Sequence, residues 1–237
     1  FKGFDLADHQ YTVESFECQD CPNHCEINVV RVEGEEPLYY GSRCEKYDVD
    51  RASRARRRPD LPDLFRERER MLMAACEGED ELPENAPRVG IPRAHLFHEL
   101  YPFWHTLFTE LGCRVVLSDA TNKAIIHEGA EQSLAETCFP CKVMLGHVLN
   151  LLEKDIDYLF LPSVINLPAL DPNMTDSFVC PYVQSAPYWL AAGIDFEAHG
   201  VRVLTPQIYL NYGLKHRTEA LADMARQLGV GRAKLRS

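Results

Sequence analysis

A chain of 237 residues, 46% of them apolar, is long enough for one large or two smaller domains with buried cores and is not a disordered polymer. Its formal net charge of −11 excludes a general binder of nucleic acid or anionic membrane, because phosphate surfaces select basic partners. No apolar stretch approaches a bilayer span and no secretory pattern opens the chain, which points to the cytoplasm; a start at Phe1 reads as a piece of a longer protein.

Cysteine is the conspicuous residue. Nine cysteines, an odd number, in a chain too rich in core residues to need disulfide staples, point to metal or redox chemistry in a reducing compartment. Residues 1–47 read as a small Cys-rich β-hairpin subdomain. Cys18-Gln-Asp-Cys21-Pro-Asn-His-Cys25 is followed by an apolar run through Ile27, Val29, Val30 and Val32, a turn at Glu33–Pro37, and Leu38-Tyr39-Tyr40 returning toward Cys44. Tight spacing of Cys18, Cys21 and Cys25, closed by Cys44, is the pattern of a four-thiolate site, which suits either tetrahedral Zn²⁺ or an iron–sulfur cluster. A zinc knot that only stabilises a region too small for its own core is the plainer form of that reading.

Residues 48–87 read as a connector. Arg51, Arg54, Arg56, Arg57 and Arg58 interleave with aspartates as a solvated run, Leu61, Leu64, Phe65, Leu72 and Ala75 fall at helical spacing, and Glu77–Pro87 is an acidic loop. Residues 88–237 then alternate strands and helices. Strands are expected at Arg88–Pro92, Arg114–Ser118, Tyr158–Pro162 and Val201–Leu204. Helices are expected on the face of Leu100, Phe103, Trp104, Leu107, Phe108 and Leu111 with Gly112 as its stop, on that of Met144, Leu145, Val148 and Leu152, and over Leu214–Leu228. This rhythm predicts an α/β fold: a Rossmann-like parallel sheet with helices on both faces, its ligands at the carboxyl ends of the strands.

Within that domain Cys138-Phe-Pro-Cys141-Lys142 stands at a helix start, with Pro140 at a first-turn position. Free N–H groups and positive potential there favour an anionic sulfur, and Lys142 adds charge of the same sign. Cys180-Pro181 repeats the arrangement before a helix between Val183 and Ala192, its start blurred by Pro187. Two such turns at corresponding places in a parallel sheet would aim their thiols into one crevice, to hold a cluster or a reactive thiol. A rival reading takes Cys138 and Cys141 as the pair of a thiol–disulfide oxidoreductase, although the motif lies late for a thioredoxin-like domain. Cys76 and Cys113 read as inert thiols. His147 is two turns into the helix after Cys138 and reads as a satisfied helix histidine.

Phe1-Lys2-Gly3-Phe4, the Cys18/Cys21/Cys25 cluster, Gly41-Ser42-Arg43-Cys44-Glu45, Arg88–Pro92, Tyr101–Trp104, Val115–Ser118, Cys138-x-Pro140-x-Lys142, Gly146-His147-Val148 and Cys180-Pro181-Tyr182 occur in order along nearly the whole chain. In these the chain resembles the middle segment of large CoA-substrate-specific enzyme activases, related to activators and components of 2-hydroxyacyl-CoA dehydratases. The resemblance implies an anaerobic system in which ATP hydrolysis drives low-potential electron transfer onto a dehydratase iron–sulfur cluster. It implies a 4Fe–4S cluster held or half-held by Cys138 and Cys180, with Cys141 as an extra cysteine able to substitute. It also implies two partners: the activase ATPase domain of the same full-length protein and a dehydratase-like subunit. The ATP-binding portion is not in these residues, so no independent enzyme is expected. A non-catalytic scaffold braced by a zinc knot is the further alternative.

Overall fold

The computed structural model describes residues 11–32, 34, 36–43, 47, 62–76, 82–169, 171, 173 and 177–230. Internal contacts divide the chain into two units, Phe1–Asp63 and Leu64–Ser237. The arginine run at 51–58, Leu61 and Cys44 lie outside the described residues.

In the first unit, β1 (Tyr11–Glu17), β2 (Glu26–Val32) and β3 (Leu38–Tyr40) form an antiparallel sheet in the order β1-β2-β3. Val13 faces Val30 across one ladder and Val29 faces Tyr39 across the other. The element is therefore a three-stranded sheet, not a two-stranded hairpin. Along β2, Ile27 and Val29 are buried and Asn28 is exposed, the alternation a pleated strand imposes. Every residue of β1 is exposed, so β1 carries no such contrast.

The second unit opens with α1 (Leu64–Ala74), an amphipathic helix with partly buried Leu72 and Met73. Next come β4 (Arg88–Ile91), α2 (Phe97–Glu110), β5 (Arg114–Leu117), α3 (Lys123–Glu131), α4 (Phe139–Leu152), β6 (Tyr158–Phe160) and β7 (Ser163–Asn166). The unit closes with α5 (Pro181–Gln184), α6 (Ala186–Gly193), β8 (Arg202–Leu204), β9 (Gln207–Tyr209) and α7 (Leu214–Gln227). Four strands form a parallel sheet in the order β5-β4-β6-β8, and β7 pairs with β9 in a separate parallel ladder. The helix expected after Cys180 is two helices, α5 and α6, with the break at Ser185 and Pro187 in the first turn of the second.

Alternation along the strands sorts the core into two layers. Tyr158 and Phe160 join the cluster under α2 and α7, whereas Leu159 and Leu161 join the one under α4 and α6. In the first layer the rings of Trp104 and Phe108 meet Phe160 edge-on, each with centroids 4.9 Å apart. Burying side chains of this size contributes on the order of 1.5–3 kcal/mol each. Phe103, in the middle of α2, is exposed, and His105 takes a buried place instead. Helix α2 stops where Gly112 takes a left-handed φ of 83°.

The α3–α4 contact has no room for side chains. A Cβ added at Gly129 would stand 1.9 Å from the Lys142 carbonyl oxygen, and one at Gly146 would stand 1.9 Å from that of Ile125. These glycines bring two helix backbones together and so fix where the start of α4, with Cys138 and Cys141, emerges. No helix among the described residues is long and apolar enough to cross a membrane.

Candidate functional site

Cys138 is the N-cap of α4, in extended conformation, with Pro140 in the first turn. A three-residue step along the start of a helix keeps two side chains on one face, and the Cys138 and Cys141 sulfurs stand 3.3 Å apart. Their exposures differ: Cys138 is exposed and Cys141 is buried. Burial, then the hydrogen bond and charge of Cys138, then the charge of Cys180, push the Cys141 thiol up to about 12. Cys180, the exposed N-cap of α5, is thus near enough to act on Cys141 electrostatically. Lys142 does not serve the thiols; its ammonium is 2.8 Å from Glu136, whose carboxyl it holds below the usual range.

Around these cysteines the surface is aromatic. Phe139, Phe178, Tyr182 and Tyr188 are all exposed; Phe139 follows Cys138 on α4, Phe178 and Tyr182 flank Cys180 in sequence, and Tyr188 is on α6. A cavity of about 150 Å³ runs beneath, lined by Leu134, Thr137, Cys141, Leu145, Tyr182 and Trp189 among others. The Trp189 indole donates to the Tyr182 carbonyl oxygen at 3.0 Å and ties α6 back to α5.

His147 is fully buried on α4. Its Nδ1 lies 2.9 Å from the Ser118 hydroxyl and its Nε2 lies 3.0 Å from the Thr121 hydroxyl. The Arg93 backbone N–H donates to the same Ser118 oxygen at 2.9 Å. Burial, then the Arg93 charge, hold the imidazole down at about 4, against a smaller opposing effect of Asp119. A neutral ring with both nitrogens engaged is a brace between α4 and the segment after β5, as its helical setting suggested.

His95 has no counterpart in the sequence reading. It follows β4 in the loop Pro92–Leu96, with a left-handed φ of 53° that costs a non-glycine residue on the order of 1–3 kcal/mol. Burial lowers its pKa to about 4, against the Pro140 carbonyl, and its ring meets Trp189 at 6.5 Å. The signal available in sequence was a histidine four residues beyond a parallel strand, where such sheets place ligand groups.

The metal expectations are corrected by this geometry. Among the described residues no group of three or more His, Cys, Asp or Glu side chains is placed to hold a metal ion. In the first unit, Cys18 directly follows β1 and is buried, its sulfur 3.6 Å from the Asp20 carboxylate and accepting from the Tyr47 hydroxyl at 3.5 Å. Cys21 faces solvent, Cys25 is half-buried, and a backbone bond from Cys18 N–H to the Cys25 carbonyl at 2.9 Å closes the loop without any ion. His24 stands 3.0 Å from Glu17. The zinc or iron–sulfur reading of Cys18, Cys21, Cys25 and Cys44 therefore fails on the three described members. The 4Fe–4S reading of Cys138, Cys180 and Cys141 fails likewise: two thiols face solvent, the third is buried, and the three do not converge as ligands. With them go the electron-transfer role and the zinc-braced scaffold. The described cysteines are free thiols, and the disulfide-exchange alternative is left with a Cys141 whose thiolate is strongly disfavoured.

Residues 88–237 match the family described as the CoA enzyme activase uncharacterised domain (DUF2229). No curated protein and no solved structure matches the chain.

Proposed function

Since the chain belongs to the family of the CoA enzyme activase uncharacterised domain, we propose that it is a docking component of an activase system. The face carrying Cys138, Cys141 and Cys180 would receive the activase ATPase domain of the same full-length protein or a dehydratase-type subunit. One observation carries this reading: the exposed rings of Phe139, Phe178 and Tyr182, within two residues of the exposed Cys138 or Cys180 in sequence, with exposed Tyr188 on the next helix. Aromatic side chains are enriched at the centres of protein interfaces, and solvated positions do not otherwise favour them. A fixed platform beneath them, seated by Gly129 and Gly146 and braced by His147, suits a surface that must present a constant shape. The strand order β5-β4-β6-β8 supports a Rossmann-like description of the unit, and residues 48–87 are read as a connector whose helix α1 packs on the α/β core. Eight free thiols among the described residues favour a reducing compartment, the cytoplasm.

Titration calorimetry of the chain against an activase ATPase domain and against a dehydratase-type subunit tests this. Replacing Phe139 and Tyr182 together by aspartate should weaken binding by roughly thirtyfold or more. Unchanged affinity in that double variant would remove the face from the interface.

A further inference from the structure

In the order β5-β4-β6-β8 the first strand of the sheet, β4, has a later strand on each side. The chain leaves β4 toward α2 on one face, and the segments after β6 lead to α5 and α6 on the other. Such a switch point opens a crevice at the carboxyl ends of the two strands. Here it holds a cavity of about 50 Å³, with Ile91, Trp104, Met144, Phe160 and Val183 among its walls. His95 brings a titratable group to this lining, and its Nε2 is buried with no hydrogen-bond partner among the described residues.

Each feature narrows the occupant. The room corresponds to roughly three or four heavy atoms. Apolar walls offer a water molecule too few partners to replace its lost bonds, but they accept an aliphatic chain. No charged side chain lines the cavity, so an ion would be buried unpaired. The ring itself is neutral at pH 7, since burial holds it down at about 4. The His95 ring lies in this lining, edge-on to Trp189.

We infer that the switch-point cavity binds a small uncharged molecule, an aliphatic chain of about three carbons ending in one hydrogen-bonding group that His95 Nε2 engages. The cavity shares α5 and α6 with the docking face through Val183 and Ala186, but the inference does not rest on the docking reading.

The test is a methyl and imidazole NMR titration of the whole chain with propan-1-ol. The Met144 methyl and the His95 ring should shift saturably, half-maximal on the order of 1 mM for so few atoms. The Met224 methyl, buried on α7 and not part of the cavity lining, should stay still. Propionate at equal concentration should give no saturable shift. His95→Phe should weaken binding about tenfold, the factor expected for one buried hydrogen bond. Ala94→Leu, which fills the cavity from a half-buried wall position, should abolish it and serves where His95→Phe does not fold. Shifts that never saturate in the wild-type chain, or that persist undiminished in the filled variant, overturn the site. Saturation by propionate as strong as by propanol overturns the ligand class.

Discussion

Cys18 and Cys21 have the same two-residue spacing as Cys138 and Cys141, yet the two pairs have opposite fates. The first spans the end of a strand and a turn: one sulfur is buried against Asp20 and Tyr47, and the other faces solvent. The second spans the first turn of a helix, where successive turns stack side chains on one face, and its sulfurs meet at 3.3 Å. Spacing sets how far apart two residues lie along the chain; the element that carries them sets where their side chains point. The helical pair gains a further property from its seat, since the inner thiol is desolvated and the outer one is left at an aromatic surface.

That contrast depends on α4 staying where the glycines place it, and the largest expected effect attacks this directly. Gly146→Val, whose Cβ would collide with the Ile125 carbonyl, should destabilise the α/β unit by roughly 3 kcal/mol or more, read from urea denaturation. In the same variant the Cys141 thiol should become open to alkylation while Cys18 keeps its protection. Acid should loosen the same seat without a mutation. The folded pKa of His147 lies near 4, below its ordinary 6.5, so the unfolded chain binds the proton more readily between those values. Stability from the neutral ring is therefore full above pH 6.5 and falls as pH drops toward 4, by roughly 3 kcal/mol across the window. Denaturation midpoints measured from pH 7 to pH 4.5 check the sign, and His147→Gln should flatten that part of the profile. The smallest effect is at α3, whose N-cap Asn122 accepts from the Ile125 N–H at 3.1 Å. Asn122→Ala should cost about 1 kcal/mol and leave the exposure of Cys138 unchanged, as measured by denaturation and alkylation together.

Much of the α/β unit was legible in the sequence because its strands are short apolar runs and its long helices carry wide apolar faces. Val89, Leu159 and Phe160 announce buried strands, and Trp104, Phe108, Met144 and Val148 announce helix faces. Helix α3 was missed although Asn122 capped a stretch with Ile125, Ile126 and Gly129 on its buried side, because nine residues hold too few turns to show a period. Strands β7 and β9, of four and three residues, are shorter still, and β1 is exposed throughout. The positions of the candidate cysteines along the chain were legible, and so was their tendency to start helices at Cys138 and Cys180. That the described ones do not converge on a metal was not legible, because this depends on side-chain direction and on which thiol the neighbouring layer covers. The His95 cavity was out of reach for a related reason: its walls come from β4, α2, α4, β6 and α5, which only the folded sheet brings together.

The most direct test of the docking reading is a footprint of the two exposed thiols. Alkylation rates of Cys138 and Cys180 are measured in the free chain and with saturating activase ATPase domain or dehydratase-type subunit. With one of these partners bound, both thiols should react at least about tenfold more slowly, since a solvated group buried in an interface reacts only when the complex opens. Unchanged rates at Cys138 and Cys180 with both partners demonstrably bound would place the interface elsewhere and contradict the account.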